Sequence, residues 1–267
     1  MYCAISREID YATLDTPSLL QFVFYPRPGN APAPDGAQDY ALPVDNGVSL
    51  SCRFYRHRPD SPSLLYFHGN GEVASDYDEI APLYREKGLN LFVVDYRGYG
   101  RSGGMPTIRS LLADAHPVFR AFQEIRRKEG DTGGLFVMGR SLGSAPAIEL
   151  AASYPDEIKG LIIESGFASL AIVLSHLGYP AGLPAAIGPG FPNRDAARRV
   201  SLPVLILHGE QDSLVPISEA RDLFQNIAGE KSLVIIGGAE HNDIMWRNPA
   251  RYFGAVSDFV ARLEAKR

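Results

Sequence analysis

The chain has 267 residues, of which 45% are hydrophobic and 21% are charged, which is typical of a globular domain with a sizeable core. Its formal net charge of −5 and isoelectric point near 5.7 argue against nucleic acid or an anionic membrane surface as its main partner. Two cysteines, Cys3 and Cys52, are too few for a disulfide scaffold and indicate free thiols in a reducing compartment.

Residues 1 to 38 are predicted to form an N-terminal extension and a connector. The segment 1–15 carries charged side chains and lacks the apolar run of a signal peptide. No run of about 18 apolar residues indicates a transmembrane helix, and we therefore expect a cytoplasmic protein. Residues 19–25 fit a short helix end or an edge strand, and the prolines and glycines of residues 26–38 predict an irregular connector. The extension can pack on its own domain or on a neighbouring chain, which leaves the oligomeric state open.

The main domain is predicted at residues 39 to 267 and begins with a hairpin. The segments 39–42 and 48–55 flank Asp45-Asn46-Gly47. Asn-Gly tolerates the positive φ that a two-residue hairpin turn requires at both turn positions. These two segments are therefore expected to pair as antiparallel strands.

Short apolar runs then alternate with patterns of helical period. Nearly continuous Val, Ile, Leu and Phe indicate strands that are buried on both faces, as in parallel sheets. The predicted strands are residues 64–67, 89–94, 135–138, 161–163, 204–207 and 233–236. The predicted helices are residues 77–87, 110–128, 145–154, 218–227 and 250–263. This alternation predicts an α/β fold with a mostly parallel twisted sheet and helices on both faces.

The interval between Gly166 and Pro203 breaks this alternation. It contains four further prolines, and a helical pattern appears at residues 167–177. The interval is too long for an ordinary strand-to-helix loop. Since ligands bind over the carboxyl ends of strands in such sheets, residues 166–203 are a candidate lid. The alternative is a helical crossover with an irregular surface loop, and a small lid beside a crossover satisfies both.

Gly139-Arg140-Ser141-Leu142-Gly143 has the pattern of a nucleophile elbow, in which a serine occupies a sharp turn between a strand and a helix. A predicted strand precedes this pentapeptide and a predicted helix follows it. The flanking glycines permit a strained turn that lifts the serine hydroxyl above the sheet. The alternative is a glycine-rich turn whose serine caps the next helix.

Ser141 needs a base and an acid, because a hydroxyl is a poor nucleophile near neutral pH. His241 lies in a glycine-rich loop after the last predicted strand, and Asp212 follows the preceding predicted strand. The order Ser141, Asp212, His241 is the order of a serine-hydrolase triad on a sheet of this type. Asp212 is favoured as the acid because residues 214–216 would fix its loop. The further candidates for the acid are Glu164, Asp243 and Glu210.

The tetrahedral intermediate of such a reaction requires two backbone N–H donors for its oxyanion. Leu142 follows the nucleophile directly, and the loop His68-Gly69-Asn70-Gly71 follows an early predicted strand. We expect the amides of Leu142 and Asn70 to form this oxyanion hole, with a plain glycine-rich turn as the alternative for the second loop. No metal site is indicated, since His68 and Glu72 lack a credible third ligand.

Five motifs together resemble the α/β-hydrolase superfamily, in particular its Bem46-like branch and the group of α/β-hydrolase domain-containing proteins 13 and 17. The motifs are His68-Gly69-Asn70-Gly71-Glu72, Asp95-Tyr96-Arg97-Gly98-Tyr99-Gly100-Arg101-Ser102-Gly103-Gly104, Gly139-Arg140-Ser141-Leu142-Gly143-Ser144, His208-Gly209-Glu210-Gln211-Asp212 and Glu240-His241-Asn242-Asp243. The resemblance covers residues 60 to 265. It implies an α/β-hydrolase fold with Ser141 as nucleophile, Asp212 as acid and His241 as base. It also implies an oxyanion hole from the amides of Leu142 and Asn70.

These residues predict a serine hydrolase that cleaves carboxylic esters of small or medium acyl groups through an acyl-enzyme intermediate, without a cofactor. Acyl-protein or acyl-CoA thioesterases and serine peptidases remain alternatives, because they use the same triad. A catalytically silent binding module that kept the fold is an alternative of another class. Apolar residues of the interval 166–203 are consistent with an acyl pocket, or with packing of this interval onto the sheet.

Overall fold

Eight strands form one sheet in the part of the chain that the computed structural model describes, namely residues 15–45, 47–179 and 193–266. The strands are β1 (Ala37–Asp45), β2 (Val48–Tyr55), β3 (Ser63–Phe67), β4 (Asn90–Val94), β5 (Leu135–Arg140), β6 (Gly160–Glu164), β7 (Val204–Gly209) and β8 (Lys231–Ile236). Their order across the sheet is β1-β2-β4-β3-β5-β6-β7-β8. All six predicted apolar strands are confirmed, and each begins and ends within two residues of its predicted bounds.

The pairing of the strands brings most of their carboxyl ends to one edge of the sheet. β1 and β2 form the predicted hairpin, in which Ala37 pairs with Tyr55 and Asp45 with Val48. Asn46 lies outside the described residues. β2 also pairs antiparallel with β4. The remaining neighbours, in the order β4-β3-β5-β6-β7-β8, all pair parallel. The loops that follow the parallel strands therefore meet at one edge, where they can share a site.

Ten α-helices accompany the sheet within the described ranges. They are α1 (Pro17–Val23), α2 (Ala81–Glu86), α3 (Ile108–Ala113), α4 (Ala115–Lys128), α5 (Ser144–Ser153), α6 (Leu170–His176), α7 (Asn193–Ala197), α8 (Ile217–Asn226), α9 (Ile244–Arg247) and α10 (Pro249–Glu264). Over these same ranges, none of the helices combines the length and the apolar character that a membrane-spanning helix requires.

Two predicted helices differ from the structure because of proline. The prediction of a helix over residues 77–87 is wrong at its start, since Pro82 lies in the first turn of α2. The prediction of a continuous helix over residues 110–128 is also wrong, because α3 ends at Ala113 and α4 begins at Ala115. Pro117 has no N–H to bond to the carbonyl of Ala113, so the helical hydrogen-bond ladder is interrupted there.

Apolar side chains cover both faces of the sheet, because successive residues of a strand point to opposite faces. On β4, Phe92 and Val94 join a core that includes side chains of α4 and α5. Leu91 and Val93, from the same strand, join a second core with side chains of α2 and α10. The predicted α/β fold with helices on both faces is therefore confirmed.

The N-terminal extension packs on its own domain over the described residues. Leu19 and Val23 of α1, with Phe24 after it, are buried in the core that α4 and α5 share. The helix begins at Pro17, whose missing N–H is harmless in a first turn. Residues 19–25 are therefore a helix and its continuation, which decides between the two structures predicted for them.

The interval 166–203 contains two described helices. α6 follows β6, and Ser169 caps it by accepting a hydrogen bond from the Ile172 amide at 3.4 Å. α7 packs against α5 and α8 and completes the crossover from β6 to β7. Residues 180–192 lie outside the described residues, and with them the four prolines of the candidate lid.

Candidate active site

Ser141 occupies the sharp turn that its sequence context predicts. β5 ends at Arg140, a 3-10 turn covers Ser141–Gly143, and α5 begins at Ser144. The φ angle of Ser141 is 50°, in the left-handed region that non-glycine residues rarely adopt. Close approach of the backbone explains the two glycines. A Cβ on Gly139 would collide with the Gly143 carbonyl, and a Cβ on Gly143 with the Phe67 carbonyl.

The three residues of the predicted triad lie in direct contact. His241 Nε2 is 3.0 Å from Ser141 Oγ, and His241 Nδ1 is 2.7 Å from Asp212 Oδ2. Asp212 follows β7 and His241 follows the neighbouring strand β8, so parallel pairing brings their loops together. Both side chains are largely buried, which strengthens their electrostatic interaction by excluding water.

The Asp212 carboxylate is fixed in orientation and charge. Its Oδ1 accepts hydrogen bonds from the amides of Leu214 at 3.0 Å and Val215 at 2.8 Å. Burial would raise the pKa of Asp212, but the hydrogen bonds from His241 and Val215 outweigh it and lower this pKa below its ordinary value. An ionised carboxylate can only accept, so His241 Nδ1 carries the proton and Nε2 is free to accept from Ser141.

The other candidates for the acid have different partners. Glu164 is fully buried, and its Oε2 accepts hydrogen bonds from Tyr252 at 2.6 Å and Tyr66 at 3.3 Å. Asp243 Oδ1 accepts from the Glu240 amide at 2.7 Å, and Glu210 Oε2 from the Gly238 amide at 2.9 Å. Asp243 and Glu210 therefore shape the loop that carries His241, whereas Asp212 contacts its imidazole.

Arg140 connects three parts of the site, and sequence reasoning missed it. Its guanidinium donates to Glu72 in the His68–Glu72 loop and to Glu164 at the end of β6. Its Nη2 also donates to the His241 carbonyl at 3.0 Å and to Asn242 Oδ1 at 2.9 Å. A charged residue at the end of a fully buried strand signals an internal ion pair, because an unpaired charge is costly to bury.

The same guanidinium controls the charge of Glu72. Burial would raise the pKa of Glu72, but attraction to Arg140 outweighs burial and holds this pKa below its ordinary value. Glu72 Oε2 in turn accepts from the Gly69 amide at 2.9 Å and from the Tyr77 hydroxyl at 2.7 Å. Arg140 and Glu72 thus hold the glycine-rich loop beside the nucleophile turn.

Both residues predicted for the oxyanion hole border the same cavity as Ser141 and His241. The Leu142 N–H lies in the first turn of a helix, where N–H groups have no intrahelical partner. Asn70 is held through its side chain. Its Oδ1 accepts from the Tyr25 amide at 3.0 Å and from the Tyr99 hydroxyl at 2.6 Å, and its Nδ2 donates to the Val23 carbonyl at 2.8 Å.

An open cavity of about 360 Å³ adjoins the triad, within the 300–1,000 Å³ range of small-molecule sites. Its described walls are mostly apolar, and they are formed by Phe22, Val23, Phe167, Leu170, Val173, Leu174, Leu177, Tyr179, Leu214 and Val215. The lining therefore includes several apolar residues of the interval 166–203 that the sequence offered as an acyl pocket. Ile172 is instead exposed, and Leu183, Ile187 and Phe191 lie outside the described residues.

The N-terminal extension forms part of the cavity wall, which sequence reasoning also missed. Phe22 and Tyr25 line the cavity. The Tyr25 and Tyr179 hydroxyls are 3.2 Å apart, and the rings of Phe22 and Tyr179 meet edge to face at 5.1 Å. The available signal was the run from Phe22 to Tyr25, which is too apolar and aromatic for a solvated extension.

No group of three or more His, Cys, Asp or Glu is arranged to hold a metal ion within residues 15–45, 47–179 and 193–266. His208 serves a structural role, because its Nε2 donates to the Val215 carbonyl at 2.9 Å and burial lowers the pKa of its ring. Cys52 is a buried free thiol, and Cys3 lies outside the described residues.

Comparison with known sequences identifies relatives over most of the chain. The model of the family described as serine aminopeptidase, S33 matches residues 59–179. The chain is 30% identical to alpha/beta hydrolase domain-containing protein 17B of Homo sapiens over 234 residues, covering 85% of this chain and 76% of that protein. It is 29% identical to alpha/beta hydrolase domain-containing protein 17C of Xenopus tropicalis over 233 residues, covering 85% of this chain and 71% of that protein.

Solved structures share the fold at lower identity. The Pyrococcus furiosus esterase Pf2001 matches with a TM-score of 0.72 and 18% identity, covering 90% of this chain and 98% of that chain. A Paleococcus ferrophilus monoacylglycerol lipase matches with a TM-score of 0.59 and 19% identity, covering 80% of this chain and 99% of that chain. These structures show the fold, and the sequence relatives show that this chain belongs to the α/β-hydrolase family and is a hydrolase, as its five motifs predicted.

Proposed function

We propose that the chain is a serine hydrolase that cleaves carboxylic esters of small or medium acyl groups, with Ser141 as nucleophile, His241 as base and Asp212 as acid. The observation that carries this proposal is the unbroken hydrogen-bond chain from Asp212 through His241 to Ser141 at the edge of an apolar cavity. A binding module without catalysis has no need of these three groups at hydrogen-bond distance.

Acyl transfer proceeds in two steps. First, Ser141 Oγ bonds to the ester carbonyl carbon while its proton passes to His241 Nε2, and Asp212 stabilises the imidazolium. The carbonyl oxygen becomes an oxyanion that the N–H groups of Leu142 and Asn70 stabilise. The proton then passes to the departing alcohol, which leaves the acyl-enzyme. Second, water attacks the acyl carbon and gives its proton to His241, and the carboxylic acid departs as Ser141 regains a proton.

The cavity supports the substrate class. Its apolar walls from α1 and α6 favour a hydrocarbon chain, and about 360 Å³ accommodates an acyl group of small or medium length. The structural neighbours described as an esterase and a monoacylglycerol lipase agree with this class. A thioester has the same acyl group and a different leaving group, so acyl-CoA substrates belong in the same assay.

The test is hydrolysis of p-nitrophenyl esters of graded chain length, beside acyl-CoA and aminoacyl substrates, by wild type and Ser141→Ala. We expect ester turnover in the wild type and a loss of roughly a thousandfold or more in the variant, because the nucleophile is removed. A fluorophosphonate probe should label the wild type and leave Ser141→Ala unlabelled. Hydrolysis by Ser141→Ala at the wild-type rate would contradict the proposal.

A further inference from the structure

The loop that carries the Asn70 amide is held from two sides. On the side of the nucleophile, the Gly69 amide donates to Glu72, which is paired with Arg140. On the opposite side, the contacts come from the N-terminal extension. Arg27 Nε donates to the Gly71 carbonyl at 2.6 Å. The Gly69 amide and the Gly71 carbonyl, in the residues before and after Asn70, are therefore held by groups that lie outside the loop or at its end.

The Asn70 side chain makes two further connections to the extension. Its Nδ2 donates to the Val23 carbonyl, and its Oδ1 accepts from the Tyr25 amide, so it bridges two backbone groups of the extension. The Tyr99 hydroxyl completes the arrangement, since it donates to the same Oδ1 and accepts from the Tyr25 amide at 2.9 Å. Tyr99 is fully buried and contacts the His68 ring, which makes this hydroxyl a rigid support.

Oxyanion stabilisation is sensitive to the position of its donors, because each N–H must lie about 2.7–3.1 Å from the charge that forms. We propose that the Tyr25 amide, the Asn70 carboxamide and the Tyr99 hydroxyl position the loop that carries the Asn70 N–H, which is a donor of the oxyanion hole. The N-terminal segment 17–25 therefore contributes to catalysis by holding this donor in place. This inference rests on the proposed function, because it assigns a role to the Asn70 amide in acyl transfer. These are positioning residues, and they act through the loop backbone.

The Tyr25 N–H can be removed without cutting the chain. Tyr25→Pro deletes this donor, since proline has no N–H. Phe24 has φ −119° and ψ 135°, the extended conformation that a residue before proline adopts. The matched reference is Tyr25→Ala, which loses the same phenol and keeps the N–H. The ratio of the two variants therefore cancels the contribution of the tyrosine side chain.

We expect kcat of Tyr25→Pro to lie about tenfold below that of Tyr25→Ala, with KM for the ester within about twofold. This loss is smaller than the 10²–10³ that removal of an oxyanion donor costs, because the donor is displaced and not deleted. Affinity for an alkyl boronic acid, which forms a tetrahedral adduct on serine, should fall by the same factor as kcat. The pH midpoint of kcat/KM should stay in place, because His241 and Asp212 are untouched.

Tyr99→Phe is the second variant, and it removes one hydroxyl from the other side of Asn70. It should show the same fall in kcat and in boronic-acid affinity, and it decides the question if Tyr25→Pro fails to fold by circular dichroism. Equal kcat values for Tyr25→Pro and Tyr25→Ala, or for Tyr99→Phe and wild type, would overturn the inference, as would a loss confined to KM. Failure of the proposed function is distinct from these outcomes, since wild type would then lack Ser141-dependent ester hydrolysis and probe labelling.

Discussion

Asp212 illustrates how the site controls individual residues. Its Oδ1 is occupied by two backbone amides, and its Oδ2 is left for His241 Nδ1. This division keeps the carboxylate ionised and the imidazole in the tautomer that accepts from Ser141. Glu164 is also a buried carboxylate near the histidine loop, but its oxygens contact Arg140, Tyr66 and Tyr252. The hydrogen bond to the imidazole therefore distinguishes Asp212 from Glu164, whereas burial does not.

This difference predicts unequal effects of two matched amide substitutions. Asp212→Asn should lower kcat about 10³- to 10⁴-fold, because an amide can donate to Nδ1 and then favours the wrong tautomer. Glu164→Gln should lower kcat less than about tenfold, since a buried amide at this position leaves the His241–Asp212 contact in place. Steady-state kinetics on one p-nitrophenyl ester compare the variants. An equal loss in both would contradict the assignment of Asp212.

At the scale of the elements, α1 and α6 supply much of the apolar wall of the cavity beside Ser141. β5, β7 and β8 deliver Ser141, Asp212 and His241 to one edge of the sheet, as parallel pairing requires. One face of α6 points inward, so that Val173 and Leu174 line the cavity, whereas Ile172 lies on another face of the helix and is 43% exposed. Under the proposed function, selection of the acyl group therefore falls to these helices and not to the strands that carry Ser141, Asp212 and His241.

A larger side chain on the cavity face of α6 should change the acyl chain length that the enzyme prefers. Val173→Trp adds bulk to the cavity and should lower kcat/KM for p-nitrophenyl octanoate at least about tenfold more than for the acetate, at a cost of about 1–3 kcal/mol in stability. The matched control is Ile172→Trp, the exposed neighbour on the same helix, which should keep the wild-type ratio. A Val173→Trp ratio of octanoate to acetate rates equal to that of wild type would contradict an acyl site here.

Across the whole molecule, buried ionic groups tie the site to acid stability. Glu72 joins the glycine-rich loop to Arg140, and its pKa is held below the ordinary value of about 4.3. A carboxylate with a lowered pKa in the folded state stabilises the fold above its unfolded pKa. This contribution is lost as the pH falls through the lower, folded value. Acidification below about pH 4 is therefore expected to weaken the fold through the same ion pair that supports the site.

Glu72→Gln should lose less unfolding free energy than wild type between pH 5 and pH 2, because glutamine does not titrate. It keeps a carbonyl oxygen for the Gly69 amide, so the loop retains this hydrogen bond. Urea unfolding at a series of pH values measures the slope, and Glu79→Gln on the exposed surface is the control, with a slope expected to match wild type. An unchanged slope in Glu72→Gln would contradict the role assigned to the Glu72–Arg140 pair.

The sequence by itself determined the strands, the parallel sheet and the identity of the triad candidates. Strands and helices are predicted from the local hydrophobic period, and the nucleophile elbow from the two glycines around Ser141. Each of these features depends only on a short stretch of sequence. The predicted helix bounds were wrong where Pro82 and Pro117 interrupt an otherwise helical pattern.

Tertiary structure alone decided the contacts between distant segments. Tyr25 lies 45 positions before Asn70, and Arg140 bonds to a carbonyl 101 positions later. Such pairs depend on the order of strands in the sheet and on which surface a connector crosses, and neither leaves a periodic signal in the chain. The sequence therefore predicted Ser141, His241 and Asp212 as the triad. The fold decided which groups hold these residues, what lines the cavity and where the N-terminal extension contacts Asn70.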